Sequence, residues 1–135
     1  MTDPAGGLRA ALLGTVAATA VAVMAAGCSS GGEPDASELT EQAARGLEVA
    51  KRFNCTGCHT SDGSDSVGPT WLGLYGSEVP LADGETVVAD DDYLRTAIED
   101  PTAQVVEGFR STMPKQELDA SQVDDVIAYI RELST

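Results

Sequence analysis

The sequence has little histidine, cysteine and positive charge, and each shortage excludes a class of function. His59 is the only histidine in 135 residues, so a copper site built from several imidazoles is excluded. The three cysteines are Cys28, Cys55 and Cys58, and a zinc site at the closely spaced pair would lack an obvious fourth ligand. Twenty-two acidic residues against eight basic ones give a net charge of −14, which argues against binding nucleic acid or an anionic lipid surface by electrostatics.

The segment from Cys55 to His59, Cys-Thr-Gly-Cys-His, has the spacing of a covalent haem attachment site. Two residues between the cysteines let both sulfurs reach one porphyrin edge, and the adjacent histidine then points at the iron. A thioredoxin-like CxxC would need a strand before a helix, but here a helical pattern precedes the pair and a Gly/Ser/Asp-rich loop follows it. A disulfide between Cys55 and Cys58 would close a very tight loop. The motif therefore predicts one covalent haem c with His59 as an axial ligand.

Met113 is the candidate for the second axial ligand. It is the only methionine once Met1 and Met24 are assigned to a targeting segment. The alternative is a core methionine beside an open iron site. The position of Met113-Pro114 in a loop before the last helical pattern favours ligation, since haem iron is commonly held by a His/Met pair.

The first 27 residues have the composition of an export signal. Ala10 to Ala26 is an unbroken run of small and apolar residues, and Arg9 is the only basic residue before it. Ala25-Ala26-Gly27-Cys28 resembles a lipobox, although Ala25 stands where leucine is usual. We therefore expect residues 1–27 to be a signal peptide with a lipobox and Cys28 to be lipidated.

Two alternatives remain for this N-terminal segment: an uncleaved anchor helix, for which the apolar run is near the lower length limit, and a free secreted protein. All three interpretations place the protein on the extracytoplasmic side. Residues 28–38 are predicted to be the lipidated cysteine and a flexible linker, and residues 39–135 a single haem domain.

Hydrophobic spacing predicts a helical domain with long loops. A first helix is expected from near Ser37 or Thr40 to about Phe53. No strand pattern of any length and no internal repeat are visible. The fold class predicted is therefore all-α, with the haem completing a core that has only six aromatic residues.

Two further helices are predicted nearer the C-terminus. Asp90 to Asp92 precedes a short helix that must end near Asp100, because Pro101 follows. This acidic triplet is interpreted as a helix cap rather than a cation site. The last helix is predicted to begin with a capping box formed by Ser121 and Asp124.

The order helix, CxxCH, Gly-Pro, Met-Pro, helix resembles that of class I cytochromes c. The likeness is greatest to the cytochrome c domain fused to the copper-bearing subunit II of some bacterial cytochrome c oxidases. The segments that carry it are Gly68 to Val79, Asp83-Gly84, Tyr93-Leu94-Arg95, Asp100-Pro101 and Met113-Pro114. The resemblance implies a class I cytochrome c fold of helices and loops around one haem, here as a stand-alone lipoprotein.

The resemblance also implies a role for each matching residue. Cys55 and Cys58 would be the thioether anchors, His59 the proximal ligand and Met113 the distal ligand. The Pro69 carbonyl would accept a hydrogen bond from the other His59 ring nitrogen. The residues implied to line the haem crevice are Gly68, Trp71, Leu72, Leu74 and Tyr75, with Trp71 or Tyr75 as a hydrogen-bond donor to a propionate.

A glycine in the first helix is a further matching position. Gly46 would let the first and last helices cross closely, near Val126 and Tyr129. The alternative is an ordinary helix glycine, which costs about 1 kcal/mol relative to alanine.

The function implied is one-electron transfer, not catalysis, since two strong axial ligands saturate the iron. The expected partners are a quinol-oxidising complex and a terminal oxidase of a respiratory chain, with membrane contact through the lipid anchor. No nucleic acid and no small-molecule substrate are expected. The alternatives are a permanently bound haem subunit of a respiratory complex and, less favoured, a haem peroxidase or ligand sensor. The acidic charge fits steering toward a basic partner and general solubility equally well.

Overall fold

The computed structural model describes residues 36–110 and 113–134. In chain order the elements are α1 (Glu41–Arg52), β1 (Glu78–Pro80), β2 (Thr86–Val88), α2 (Asp91–Glu99) and α3 (Ala120–Glu132). The predicted signal peptide, Cys28 and most of the predicted linker lie outside the described residues. Within the described ranges, no helix is long and apolar enough to cross a membrane.

The first helix begins and ends close to the predicted residues. The Thr40 side chain caps α1 by accepting a hydrogen bond from the Ala43 backbone N–H. Phe53 follows the last helical residue as the C-cap. The buried stripe of α1 includes Leu47 and Ala50, which are 2% and 0% exposed, so this face forms one wall of the core.

The last helix starts two residues earlier than the capping box predicted from Ser121 and Asp124. Asp119 caps α3 by accepting from the Gln122 backbone N–H, and the Gln122 side chain accepts from the Asp119 backbone N–H. Asp124 instead pairs with Arg95 on α2. The prediction was wrong because Asp119-x-x-Gln122 is an equally good capping box. It starts the helix two residues earlier, ahead of the first buried residue of the helix.

Helices α1 and α3 cross in close contact at Gly46. A Cβ atom added there would lie 1.9 Å from the Asp125 carbonyl oxygen and 2.9 Å from the Tyr129 Cβ. The close crossing predicted for this glycine is therefore confirmed, and the alternative of an ordinary helix glycine is wrong. The main packing of the domain brings together helices from opposite ends of the described chain.

The acidic triplet before α2 acts as a helix cap. The Asp90 side chain accepts from the Tyr93 backbone N–H, and Asp91 pairs with Arg131 on α3. The Arg131 hydrogen bond lowers the pKa of Asp91. In the part of the chain that the structure describes, no group of histidine, cysteine or acidic residues could hold a metal ion. The helix ends at Glu99, ahead of Pro101, as predicted.

A short antiparallel hairpin, β1–β2, was not predicted from the sequence. Its strands have three residues each, which is too short to show an alternating pattern, and Val79 pairs with Val87 at its centre. Beyond β1, Leu81 forms a bridge with Val106, and the Pro80 carbonyl accepts from the Glu107 backbone N–H at 2.9 Å. The hairpin therefore supports the segment that leads to Met113.

Candidate functional site

The CxxCH segment is held in a tight turn just after α1. Asn54 adopts a left-handed backbone conformation, with φ of 58°, and starts the 3-10 turn Cys55–Gly57. The backbone N–H groups of Cys58 and His59 both donate to the Cys55 carbonyl, at 3.0 and 2.9 Å. These contacts place both thiols and the imidazole in the lining of one cavity. Burial raises the pKa of the Cys55 thiol.

The His59 imidazole is oriented by the Pro69 carbonyl. The distance from Nδ1 to that oxygen is 2.8 Å, and since a carbonyl only accepts, Nδ1 carries the proton and donates. This tautomer leaves the Nε2 lone pair for a metal. Burial lowers the pKa of His59, and the hydrogen bond to Pro69 opposes that shift. The hydrogen bond to Pro69 thus leaves Nε2 as the ring atom available to a metal, and the contact expected between His59 and Pro69 is present.

Two neighbours fix the surroundings of the same ring. A Cβ added at Gly68 would lie 2.5 Å from His59 Cε1 and 2.8 Å from Nδ1, so only glycine leaves room for the imidazole. The Trp71 indole stacks on the imidazole, with ring centroids 5.1 Å apart and planes 12° from parallel. Trp71 is 6% exposed, so the imidazole packs on a buried surface.

The cavity beside His59 has a volume of about 330 Å³, within the ~300–1,000 Å³ range of small-molecule and cofactor sites. Met113 and Pro114 line it together with His59. Of the residues predicted to bind the cofactor, those found in the lining are Cys55, Cys58, His59, Gly68, Pro69, Trp71, Leu74 and Met113.

Tyr75 and Leu72 are not among the residues that line this cavity, so their place in the haem crevice stays a prediction. The Arg131 guanidinium lies over the Tyr75 ring, 4.9 Å from its centroid, and the Tyr75 backbone N–H donates to Ser134 Oγ at 2.9 Å. Leu72 is 47% exposed. Gly73 has a left-handed backbone conformation, with φ of 73°, and turns the chain here. The side chains on either side of it therefore do not all face the cavity.

Sequence reasoning missed the part of the cavity lining that comes from α2 and the segment after it. These residues are Tyr93, Leu94, Ala97, Ile98, Pro101, Gln104, Val105, Val106 and Phe109. The apolar face of α2 was visible as Tyr93-Leu94 and Ala97-Ile98. Spacing alone could not show whether this face contacts a cofactor or packs in a protein core.

The lining fits a haem. Among its described residues it is largely apolar, it holds two thiols and an imidazole at attachment spacing, and it includes no carboxylate. Gln104 Oε1 is buried in this lining without a hydrogen-bond partner among the described residues. A buried amide oxygen left unpaired costs about 1–3 kcal/mol. This side chain would pair with a haem propionate only through its NH2 group, since a carboxylate accepts and does not donate.

Comparison with known proteins decides the family. The family model described as Cytochrome c matches residues 43–134. The chain belongs to the cytochrome c family. A solved structure of cytochrome cH from Methylobacterium extorquens is similar, with 27% sequence identity and a TM-score of 0.50, over 67% of this chain and 97% of that one. No curated protein gives a match.

This cytochrome is a class I domain with one covalent haem c, and it is an electron carrier rather than an enzyme. Cys55 and Cys58 are placed to hold the haem as thioethers, and His59 and Met113 are the axial pair that fits it. When bound, the haem supplies an iron that changes oxidation state by one electron. The protein orients the proximal imidazole through Pro69 and excludes water with its apolar lining.

Replacing Gly68 with alanine is expected to displace the proximal imidazole. The new methyl would overlap His59 Cε1, and such overpacking typically costs about 1–3 kcal/mol. We expect a weaker Pro69 hydrogen bond, an altered low-spin spectrum and less holoprotein, measured by absorption and electron paramagnetic resonance. Ser66→Ala is the control, because Ser66 is exposed in the same loop, two residues before Gly68. A normal spectrum in Gly68→Ala would contradict this account of the site.

Proposed function

We propose that this cytochrome is a membrane-tethered electron carrier of a respiratory chain, accepting electrons from a quinol-oxidising complex and passing them to a terminal oxidase. The observation that supports one-electron transfer best is that His59 and Met113 line the same cavity. Protein ligands on both sides of an iron leave no position for oxygen or a substrate. A site of that kind can change oxidation state without exchanging a ligand.

The rim of the cavity supports transfer through direct contact with a partner. Val67 belongs to the lining and is nevertheless 61% exposed, so an apolar side chain stands at the opening beside Gly68. A small apolar contact of this type suits the weak, transient complexes of redox proteins, which bury less than about 1,200 Å². The net charge of −14 adds long-range attraction to a basic partner surface.

Three sequence features support the respiratory and membrane parts of the proposal. The lipobox-like segment before Cys28 would tether the domain to the extracytoplasmic face. The run Gly68 to Val79 is like that of domains fused to oxidase subunit II. His59 is the only histidine in this sequence, so it has no set of imidazoles for a copper site and would act as the haem-bearing counterpart of such a domain.

Binding of carbon monoxide tests the electron-transfer class against the sensor or peroxidase class. The reduced full-length protein is exposed to carbon monoxide at neutral pH, and the absorption spectrum is followed. We expect no binding within the time of mixing, because Met113 holds the sixth position. Rapid binding would overturn the assignment and favour a ligand sensor or a peroxidase.

Capture from native membranes tests the respiratory role. The tagged protein is solubilised in mild detergent and washed at high salt, and reduction by a quinol-oxidising complex and oxidation by a terminal oxidase are then measured. Recovery alone, with rapid electron exchange with both complexes, supports a tethered shuttle. Stoichiometric co-isolation with subunits of either complex would instead make it a resident subunit, which is the second candidate function. Absence of exchange with both complexes would refute the respiratory proposal.

A further inference from the structure

We propose that Trp71 is a positioning residue that fixes the plane of the His59 imidazole and so sets the orientation of the proximal ligand on the iron. The inference depends on haem ligation by His59 and is independent of which complexes donate and accept electrons. It concerns the protein's own contacts with its ligand ring, beyond the hydrogen bond to Pro69.

The geometry of the two rings is that of a face-to-face contact. Their centroids are 5.1 Å apart, inside the range of about 4.5–7 Å for favourable offset stacking, and the planes differ by 12°. One hydrogen bond from Nδ1 fixes where that atom points but resists tilting of the ring only weakly. A parallel face resists tilt directly, because tilting the imidazole plane toward the indole would push its atoms into that ring.

The indole is itself held so that it can act as a fixed surface. The Trp71 backbone N–H donates to the Thr60 carbonyl at 2.7 Å. The edge of its ring meets Tyr129 of α3, with centroids 6.0 Å apart and planes at 84°. Tyr129 is fully buried beside the Gly46 crossing, so the most tightly packed part of the core supports the indole.

Together, three contacts define the imidazole completely. Pro69 binds Nδ1, Gly68 closes the edge at Cε1, and Trp71 covers a face. Removing the Trp71 contact would leave Nδ1 of His59 bonded to Pro69 but would allow the imidazole plane to tilt. The expected consequence is a changed ligand orientation with ligation intact, which differs from general loss of the fold.

The test is paramagnetic nuclear magnetic resonance of the ferric full-length holoprotein. The resonances of the haem methyl groups depend on the direction of the axial imidazole plane. We expect Trp71→Leu to reorder or compress these methyl shifts while the low-spin spectrum remains. Trp71→Phe keeps a flat ring, so it should restore the original order. Trp71→Met, which fills the space without a ring, provides the same comparison if the leucine variant yields no holoprotein.

Leu47→Ala is the matched control for destabilisation. Leu47 is 2% exposed in the α1–α3 core and is not in the cavity lining, so its truncation weakens the fold without touching His59. We expect its methyl shifts to differ from those of the original protein by several-fold less than those of Trp71→Leu. Unchanged shifts in both ring-free Trp71 variants would overturn the proposal. Equal changes in Leu47→Ala would also overturn it, because Trp71 would then act only through stability.

Discussion

Replacing Met113 with alanine is expected to leave the haem covalently attached but convert the ferric iron from low spin to high spin or to water ligation. The thioethers at Cys55 and Cys58 hold the haem independently of the distal ligand. Loss of the Met113 sulfur as an iron ligand should also lower the reduction potential and open the reduced iron to carbon monoxide. Absorption spectroscopy, electron paramagnetic resonance and redox titration measure these three changes.

Met113→His is the matched control for this substitution. It offers an imidazole from the same position, so it should restore a low-spin spectrum and block carbon monoxide again. Alanine and histidine variants that both retain the original low-spin ferric spectrum would show that another group ligates the iron. They would also remove the basis for assigning electron transfer through a His/Met site.

Replacing Gly46 with alanine is expected to destabilise the domain by about 2 kcal/mol, the upper end of the overpacking range less the gain in helix propensity. Alanine should gain about 1 kcal/mol in helix propensity. The added methyl, however, would lie 1.9 Å from the Asp125 carbonyl oxygen, a backbone atom that moves only if α3 moves. Overpacking of a rigid contact outweighs the helix gain. Denaturant unfolding of the holoprotein, followed by circular dichroism, measures the change.

Glu48→Ala provides the control for the Gly46 prediction. Glu48 is exposed on the same helix, so its replacement should change the free energy of unfolding by no more than about 0.5 kcal/mol. A Gly46→Ala protein as stable as the original, or more stable, would mean that the helices separate at little cost. The Tyr129 contact with Trp71 would then be far less rigid than its burial indicates.

The features predicted correctly from the sequence depend on short-range chemistry. The CxxCH spacing identified the attachment site, and Thr40, Asp90 and Pro101 marked helix boundaries, because capping and proline sterics act within a few residues. Gly46 was also identified, but through family resemblance rather than through a local rule.

The features that were missed depend on contacts between distant segments. The hairpin is held partly by the bridge from Leu81 to Val106, which no local pattern contains. Tyr75 is not in the cavity lining, and Arg131, more than fifty residues later, lies over its ring. The stacking of Trp71 on His59 likewise could not be predicted, since the sequence showed only that an aromatic residue follows Gly68-Pro69.

The pairing of α1 with α3 has a consequence for the order of events during biosynthesis. The core cannot close until α3, which follows the other described helices in the chain, is available to meet Gly46. Cys55 and Cys58 precede that helix by more than sixty residues, so they leave the ribosome on a chain whose pocket is still open. Both thiols are therefore accessible to the haem-attaching machinery before the surrounding walls bury them.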